Sequence, residues 1–186
     1  MRPMLFLDLP PFPRGQLQDK YTGGDIVIQA CADDEQVAFH AVRNLIRKGR
    51  NKITMKWSKS GFAAIGDRKE TPRNLFGFKD GTANVTTEKE FDKVVWTDSK
   101  DWMKGGSYMA LRLVQMHLET WDRTNLQEQE NTFGRYKESG APFGKKDEFD
   151  EVDLSKLPVD SHVRLAKAVD LPILRRSYSY SAGIDE

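Results

Sequence analysis

Hydrophobic positions follow two rhythms in the first third of the chain. Across 33–48 they recur at Ala38, Phe39, Val42, Leu45 and Ile46, a spacing that gathers them on one side of a helix. Asp33 offers a capping carboxylate at its start and Gly49 a stop at its end. The flanking runs read as strands. Residues 25–31 are apolar and β-branched through Ile26, Val27 and Ile28, and 53–57 puts Ile53, Met55 and Trp57 on one face. Ahead of them, Pro10, Pro11, Pro13, Gly15, Gly23 and Gly24 punctuate 1–24, which is expected to be an extended arm, with the ordered domain running over 25–186.

The same reading predicts a long strand over 107–118, apolar on both faces through Met109, Ala110, Leu111, Leu113 and Val114 and therefore central in a sheet. Thr124-Asn-Leu-Gln127 reads as a capping box opening a short helix that reaches about Phe133. Mixed charges around Phe149 and Val152 make 144–156 an exposed excursion. Strands alternating with helices imply an α+β fold with an antiparallel sheet covered on one face, and a split β-α-β, ferredoxin-like arrangement fits.

Composition narrows the classes. The chain has 186 residues, 38% hydrophobic and 31% charged, enough for a folded core in one domain or two small subdomains. With 29 basic and 28 acidic residues the net charge is +1, so no nucleic acid or anionic membrane surface is expected as a partner. The basic cluster of Arg43, Arg47, Lys48, Arg50, Lys52 and Lys56 reads as a solvated face, and His40 shares it with Gln36. No apolar run approaches the roughly 18 to 20 residues of a transmembrane segment, and the first thirty residues carry no export signal. The single cysteine, Cys31, excludes an internal disulfide and a cysteine-built metal cage, and its β-branched surroundings predict a packed, inert thiol.

Three segments carry candidate chemistry. In 74–84 a carboxylate, Asp80, sits on a glycine-bracketed turn beside Phe76 and Phe78; this is either a plain hairpin turn or a proton-shuttling acid held near a planar cofactor. In 160–166, His162 occupies an apolar, strand-like setting and is either a core residue or a ligand, with His117 as the competing buried histidine. In 174–180, Arg175 and Arg176 precede Tyr178 and Tyr180, and form either a salt-bridged strand or a guanidinium aimed at anionic groups.

NLFGFKDGTANV contains the Gly-x-x-Asp-Gly motif of the dye-decolourising haem peroxidases, and the match extends well beyond it. The stretches IQACADDEQVAFHAVRNL, GGSYMALRLVQMHLETWDRTNLQEQENTFGR, SHVRLA and ILRRSYSY resemble the branch associated with bacterial iron uptake, the deferrochelatases, in the family's own order. The resemblance implies Asp80 and Arg175 on the distal side of haem b and His162 as proximal ligand of its iron, with the choice of Arg175 over Arg176 resting on the register of ILRR. It matches Gly81, Thr82 and Ala83 to backbone lying against the haem, and Lys167, Ala168 and Val169 to a further haem-contacting segment. It implies paired ferredoxin-like halves of the dimeric α+β barrel type, hydrogen peroxide as oxidant, and aromatic dyes or phenols as reductants. Dyes too bulky for the pocket would pass electrons through surface aromatics, for which Trp57, Trp96, Trp102, Trp121, Tyr178 and Tyr180 are either candidates or plain structural residues. Placement in the cell envelope or outside the cell follows from the same resemblance.

Members of that family are longer. The resemblance leaves most of the first half-domain missing and ends before a closing strand and helix, and the interval from His162 to Arg175 is shorter than usual. Unpaired sheet edges then make a homo-oligomer the expected state. Two other functions stay in view: a deferrochelatase or haem carrier taking haem itself as substrate, and a non-catalytic assembly module.

Overall fold

A computed structural model describes residues 9–13, 15–62 and 70–168. The chain divides into two compact units, Met1–Ser60 and Gly61–Glu186.

In the first unit a short 3-10 turn, Asp19–Tyr21, precedes α1, Glu35–Gly49. Asp34, one residue later than expected, caps α1 by accepting from Gln36 N at 2.7 Å. The sheltered stripe is Ala38, Val42, Ile46 and Gly49, all half-buried, while Phe39 and Leu45 stand more than half exposed. The expected apolar side is therefore narrower than the residue types suggested. A stripe at i, i+4, i+8 follows one ridge of the helix, and residues one position off it rotate away by about 100°. Ile53 folds back onto the helix end so closely that a Cβ on Gly49 would meet its Cδ1 at 2.7 Å. Tyr21 meets Trp57 edge to face, with centroids 6.2 Å apart.

The second unit carries α2 (Glu88–Val94), α3 (Leu118–Asp122), α4 (Leu126–Phe133), a 3-10 turn (Leu154–Lys156) and α5 (His162–Lys167). Helix α2 opens on a full capping box between Thr87 and Glu90. Helix α4 starts one residue later than the Thr124 box predicts: Asn125 accepts from Glu128 N at 3.0 Å, and Gly134 ends it in the left-handed conformation, φ 80°. Its core is Phe78, Ala141, Pro142, Leu157 and Ser161, with Gln129 and Glu148 as buried polar members.

The predicted strands at 25–31, 53–57 and 107–118 form no ladder among the described residues, where the β-pairing consists of two isolated antiparallel bridges, Arg73↔Lys79 and Arg135↔Pro142. A strand is stabilised by a hydrogen-bonded neighbour and by a layer over its apolar face. Ile26, Val27, Tyr108, Met109, Leu111 and Val114 are each at least half exposed, so neither support is present for them. Cys31 is likewise exposed, 3.6 Å from Gln29 Nε2, and is not the packed thiol expected from its neighbours.

Candidate functional site

Asp80 sits at the end of a tight hairpin built from its own sequence. Asn74 N donates to Phe78 O at 2.9 Å and Asp80 N to Pro72 O at 2.8 Å, on either side of the Arg73↔Lys79 bridge. The Asn74 side chain ties the loop from inside, accepting from Phe76 N at 3.0 Å and Phe78 N at 3.3 Å. Arg73 clamps the outside through Gly77 O, Lys137 O and Glu138 O, at 2.8, 2.6 and 2.8 Å. Asp80 itself is half-buried, and among the described residues its carboxylate has no hydrogen-bond or ion-pair partner.

Directly after it the chain turns again. Gly81 takes φ 116°, Asn84 N returns to Gly81 O at 2.9 Å, and the Thr82 hydroxyl is buried without a hydrogen-bond partner among the described residues. Thr82 and Gly81 are half-buried and Ala83 is exposed. A hydroxyl removed from water with nothing to bond is costly, so an unmatched Thr82 Oγ1 marks a place where a polar group is due.

His162 is the first residue of α5 and not part of a strand. Ser161 breaks the chain into the helix and is fully buried under Gly134, where a Cβ on that glycine would meet Ser161 Oγ at 3.0 Å. The imidazole is exposed at the surface of an aromatic cluster, 5.8 Å and 62° from the Phe133 ring. Phe133 stacks on Phe78 at 4.0 Å and meets Trp121 edge to face at 5.7 Å, while Phe76 lies 4.5 Å from Trp121. The indole of Trp121 donates to Phe76 O at 3.3 Å, and Gln129 Nε2 donates to Trp121 O and Thr124 O, both at 3.0 Å. The hairpin bearing Asp80 and the helix bearing His162 thus reach one cluster, through Phe78 and Phe133 respectively.

The other histidines stand apart from it. His40 is exposed on α1, in the first unit, as its place on the polar side predicts. His117 is exposed at the N-terminus of α3 and is no buried competitor. Lys167 closes α5 and Ala168 caps it, its N–H reaching Arg164 O and Leu165 O. Val169, Arg175, Arg176, Tyr178 and Tyr180 lie outside the described residues. Trp96 and Trp102 are exposed, whereas Trp57 and Trp121 are half-buried in ring contacts.

Sequence reasoning passed over the polar groups that brace these elements. Arg164 donates to Leu157 O at 2.8 Å and ties α5 to the preceding turn. Arg135 donates to Gly140 O at 2.6 Å and Glu148 O at 2.8 Å; burial lowers its pKa and Glu148 partly restores it. Lys79 pairs with Glu148, which also accepts from the Thr71 hydroxyl. Residues 70–85 and 135–148 carry no periodic signal that links them, and the burial of Glu148, inside an excursion expected to be exposed, is visible only in the structure.

The chain matches known proteins throughout. Residues 71–185 match the C-terminal model of Dyp-type peroxidases and residues 1–63 the N-terminal model. It is 40% identical over 194 residues to the deferrochelatase of Escherichia coli (strain K12), covering 93% of this chain and 46% of that protein. With the deferrochelatase of Yersinia pseudotuberculosis it shares 37% identity, covering 98% of this chain and 47% of that one. The chain therefore spans about half the length of these relatives. Among solved structures, the DyP-type peroxidase from Cellulomonas bogoriensis superposes with a TM-score of 0.87 at 31% identity, over 99% of this chain and 56% of its own. An oxyferrous complex of DtpA from Streptomyces lividans gives 0.67 at 33% identity, over 72% and 41%. The fold is accordingly the α+β, ferredoxin-like fold of that family, although among the described residues its β-pairing is limited to two isolated bridges. By sequence over its whole length and by the superposition of its backbone, this chain belongs to the Dyp-type peroxidase family.

Proposed function

We propose that the chain takes part in haem-dependent reduction of hydrogen peroxide and oxidation of dyes or phenols, with His162 holding the iron of haem b and Asp80 and Arg175 acting on the peroxide. The observation that carries the reading is the shared aromatic cluster: Phe78, two residues before Asp80, stacks on Phe133, whose ring meets His162. The residues present fit a porphyrin. The His162 imidazole stands exposed at a helix start with a flat ring beside it, and the Gly81–Asn84 turn holds a buried Thr82 hydroxyl with no hydrogen-bond partner among the described residues. Gly81, Thr82 and Ala83, and with them Lys167, Ala168 and Val169, are proposed to contact the group.

Haem supplies the redox chemistry when bound, and the protein supplies orientation and proton handling. Asp80 takes the proton from one oxygen of hydrogen peroxide and returns it to the other, which weakens the O–O bond toward heterolysis. Among the described residues its carboxylate has no hydrogen-bond or ion-pair partner that would divert it from the task. Arg175 stabilises the negative charge that grows on the departing oxygen, an effect strongest where water is excluded. Exposed Trp96 and Trp102 are candidate entry points for electrons from reductants too bulky to reach the cofactor.

A second reading, release of iron from haem as substrate, is favoured by the deferrochelatases among the relatives. The domain is proposed to extend over 25–186 after an arm at 1–24, to pair its ferredoxin-like halves in the barrel manner of the family, and to work in the cell envelope or outside the cell. Exposed Tyr108, Met109, Leu111 and Val114 support assembly into a homo-oligomer, and a strictly monomeric mass in solution would remove that part of the reading. Haem titration is the decisive experiment. The wild-type chain should develop a Soret band that His162→Ala loses, while Asp80→Asn keeps the band and loses peroxide turnover. Porphyrin freed anaerobically without peroxide would favour the second reading, and absence of any Soret band would leave only a non-catalytic assembly module.

A further inference from the structure

Phe78, Lys79 and Asp80 follow one another on the hairpin and meet different surroundings. Phe78 enters the aromatic cluster. Lys79 passes its stem over Gly140, where a Cβ would come within 2.7 Å of Lys79 Cδ, and its ammonium pairs with Glu148. Asp80 follows directly, half-buried, with its N–H bonded to Pro72 O at 2.8 Å. The side chains of Lys79 and Glu148 are only 13% and 6% exposed. Glu148 is in turn held by the Thr71 hydroxyl on its other oxygen and by Arg135, which donates to its main-chain carbonyl at 2.8 Å.

We propose that the buried Lys79–Glu148 pair, backed by Thr71 and Arg135, is the positioning device that aims Asp80. A proton-carrying acid must be held within roughly 0.5 Å of its working geometry. The Asp80 carboxylate has no partner of its own among the described residues, so its aim is set through the backbone. That backbone has one hydrogen bond at Asp80, from its N–H to Pro72 O, and the anchored neighbour immediately before it. A buried ion pair adds little net stability compared with an apolar pair of similar volume, but its direction is specific. The pair's role is therefore geometric, and Lys79 and Glu148 are positioning residues, not catalytic ones. The inference deepens the peroxidase reading and rests on it for Asp80's task.

The test uses the full chain and two readouts. Glu148→Gln keeps the size and an acceptor for Thr71 while removing the charge; Lys79→Met/Glu148→Leu keeps the packing without any charge and guards against a variant that fails to fold. Hydrogen exchange of the haem-free protein should speed about tenfold at the Asp80 and Asn84 amides in both, with the α4 amides unchanged. In the haem-loaded protein, kcat/KM for peroxide should fall about tenfold at an unchanged haem affinity, and Glu148→Gln should cost nothing further in an Asp80→Asn background. Unaltered exchange at Asp80, or faster exchange spread evenly over the unit, would overturn the positioning role. If Asp80→Asn alone leaves peroxide turnover intact, the catalytic reading of Asp80 falls, while the anchor is still decided by exchange.

Discussion

Phe133 lies face to face on Phe78, ring centroids 4.0 Å apart and planes 10° from parallel. This stack joins the last residue of α4 to the hairpin that carries Asp80, and the outer edge of Phe133 is where His162 arrives. Phe78 is 2% exposed, so the contact lies in the core of the second unit. Whatever loosens it uncouples the candidate acid from the candidate ligand.

Truncating Phe78 to Ala removes the ring and leaves a cavity, at a cost of about 3–5 kcal/mol. Urea unfolding should show that loss. A change below about 1 kcal/mol would mean that the hairpin collapses onto other partners.

Gly134 is expected to resist replacement for two separable reasons. Its left-handed backbone, φ 80°, penalises any L side chain, and an added Cβ would press on Ser161 Oγ at 3.0 Å. Gly134→Ala should cost about 1–2 kcal/mol from backbone strain, plus whatever Ser161 needs to move. Gly134→Asn tolerates the backbone better but keeps the Cβ. Equal thermal destabilisation of the two variants would assign the cost to the Ser161 contact, and a milder Asn variant would assign it to the backbone.

Arg135→Met is expected to destabilise by about 1–3 kcal/mol, because the buried carbonyls it serves lose a charged donor. Those carbonyls belong to Gly140 and Glu148. The loss should appear as faster proteolysis within 136–148 before global unfolding. Cleavage at the wild-type rate would show that water replaces the guanidinium without consequence.

Acidity should fray α2 from its N-terminus. The Thr87 side chain, then its backbone and that of Thr86, bond the Glu90 carboxylate and hold its pKa below 4.5. A folded value below the unfolded one means that the stabilisation is complete above about pH 4.5 and is lost as the pH falls through the lower, folded value. Amide signals of Thr86 and Thr87, which donate to Glu90 Oε2 at 3.2 and 3.0 Å, should shift in that acid window, and Glu90→Gln should abolish the shift. Because Glu90 is fully exposed, salt should leave the hydrogen-bonded part of the effect in place.

Local features were legible in the residues themselves. Helix α1 and helix α4 appear within one or two residues of where apolar spacing and caps put them, because both signals act over a single turn. Helix α2, by contrast, was not anticipated, although its capping box between Thr87 and Glu90 is equally local. The family motif around Asp80 was readable as well, since a short turn is specified by its own glycines and by Asn74.

What the chain could not announce is every relationship that closes over distance. Apolar runs at 25–31 and 107–118 read as strands, yet a strand exists only by virtue of a neighbour, and no neighbour pairs with them among the described residues. His162 reads as strand-like from its apolar company, but Ser161 packed beneath Gly134 turns it into the start of a helix. The stacking of Phe78 on Phe133 and the pairing of Lys79 with Glu148 join residues 55 and 69 positions apart. Alone, the sequence determined helices α1 and α4 to within a residue or two, the Asp80 turn and the family, all of which rest on interactions between near neighbours or on motif identity. Tertiary structure decided which rings meet, which acid is buried and where the imidazole stands, because those outcomes depend on segments that touch only after the chain has folded.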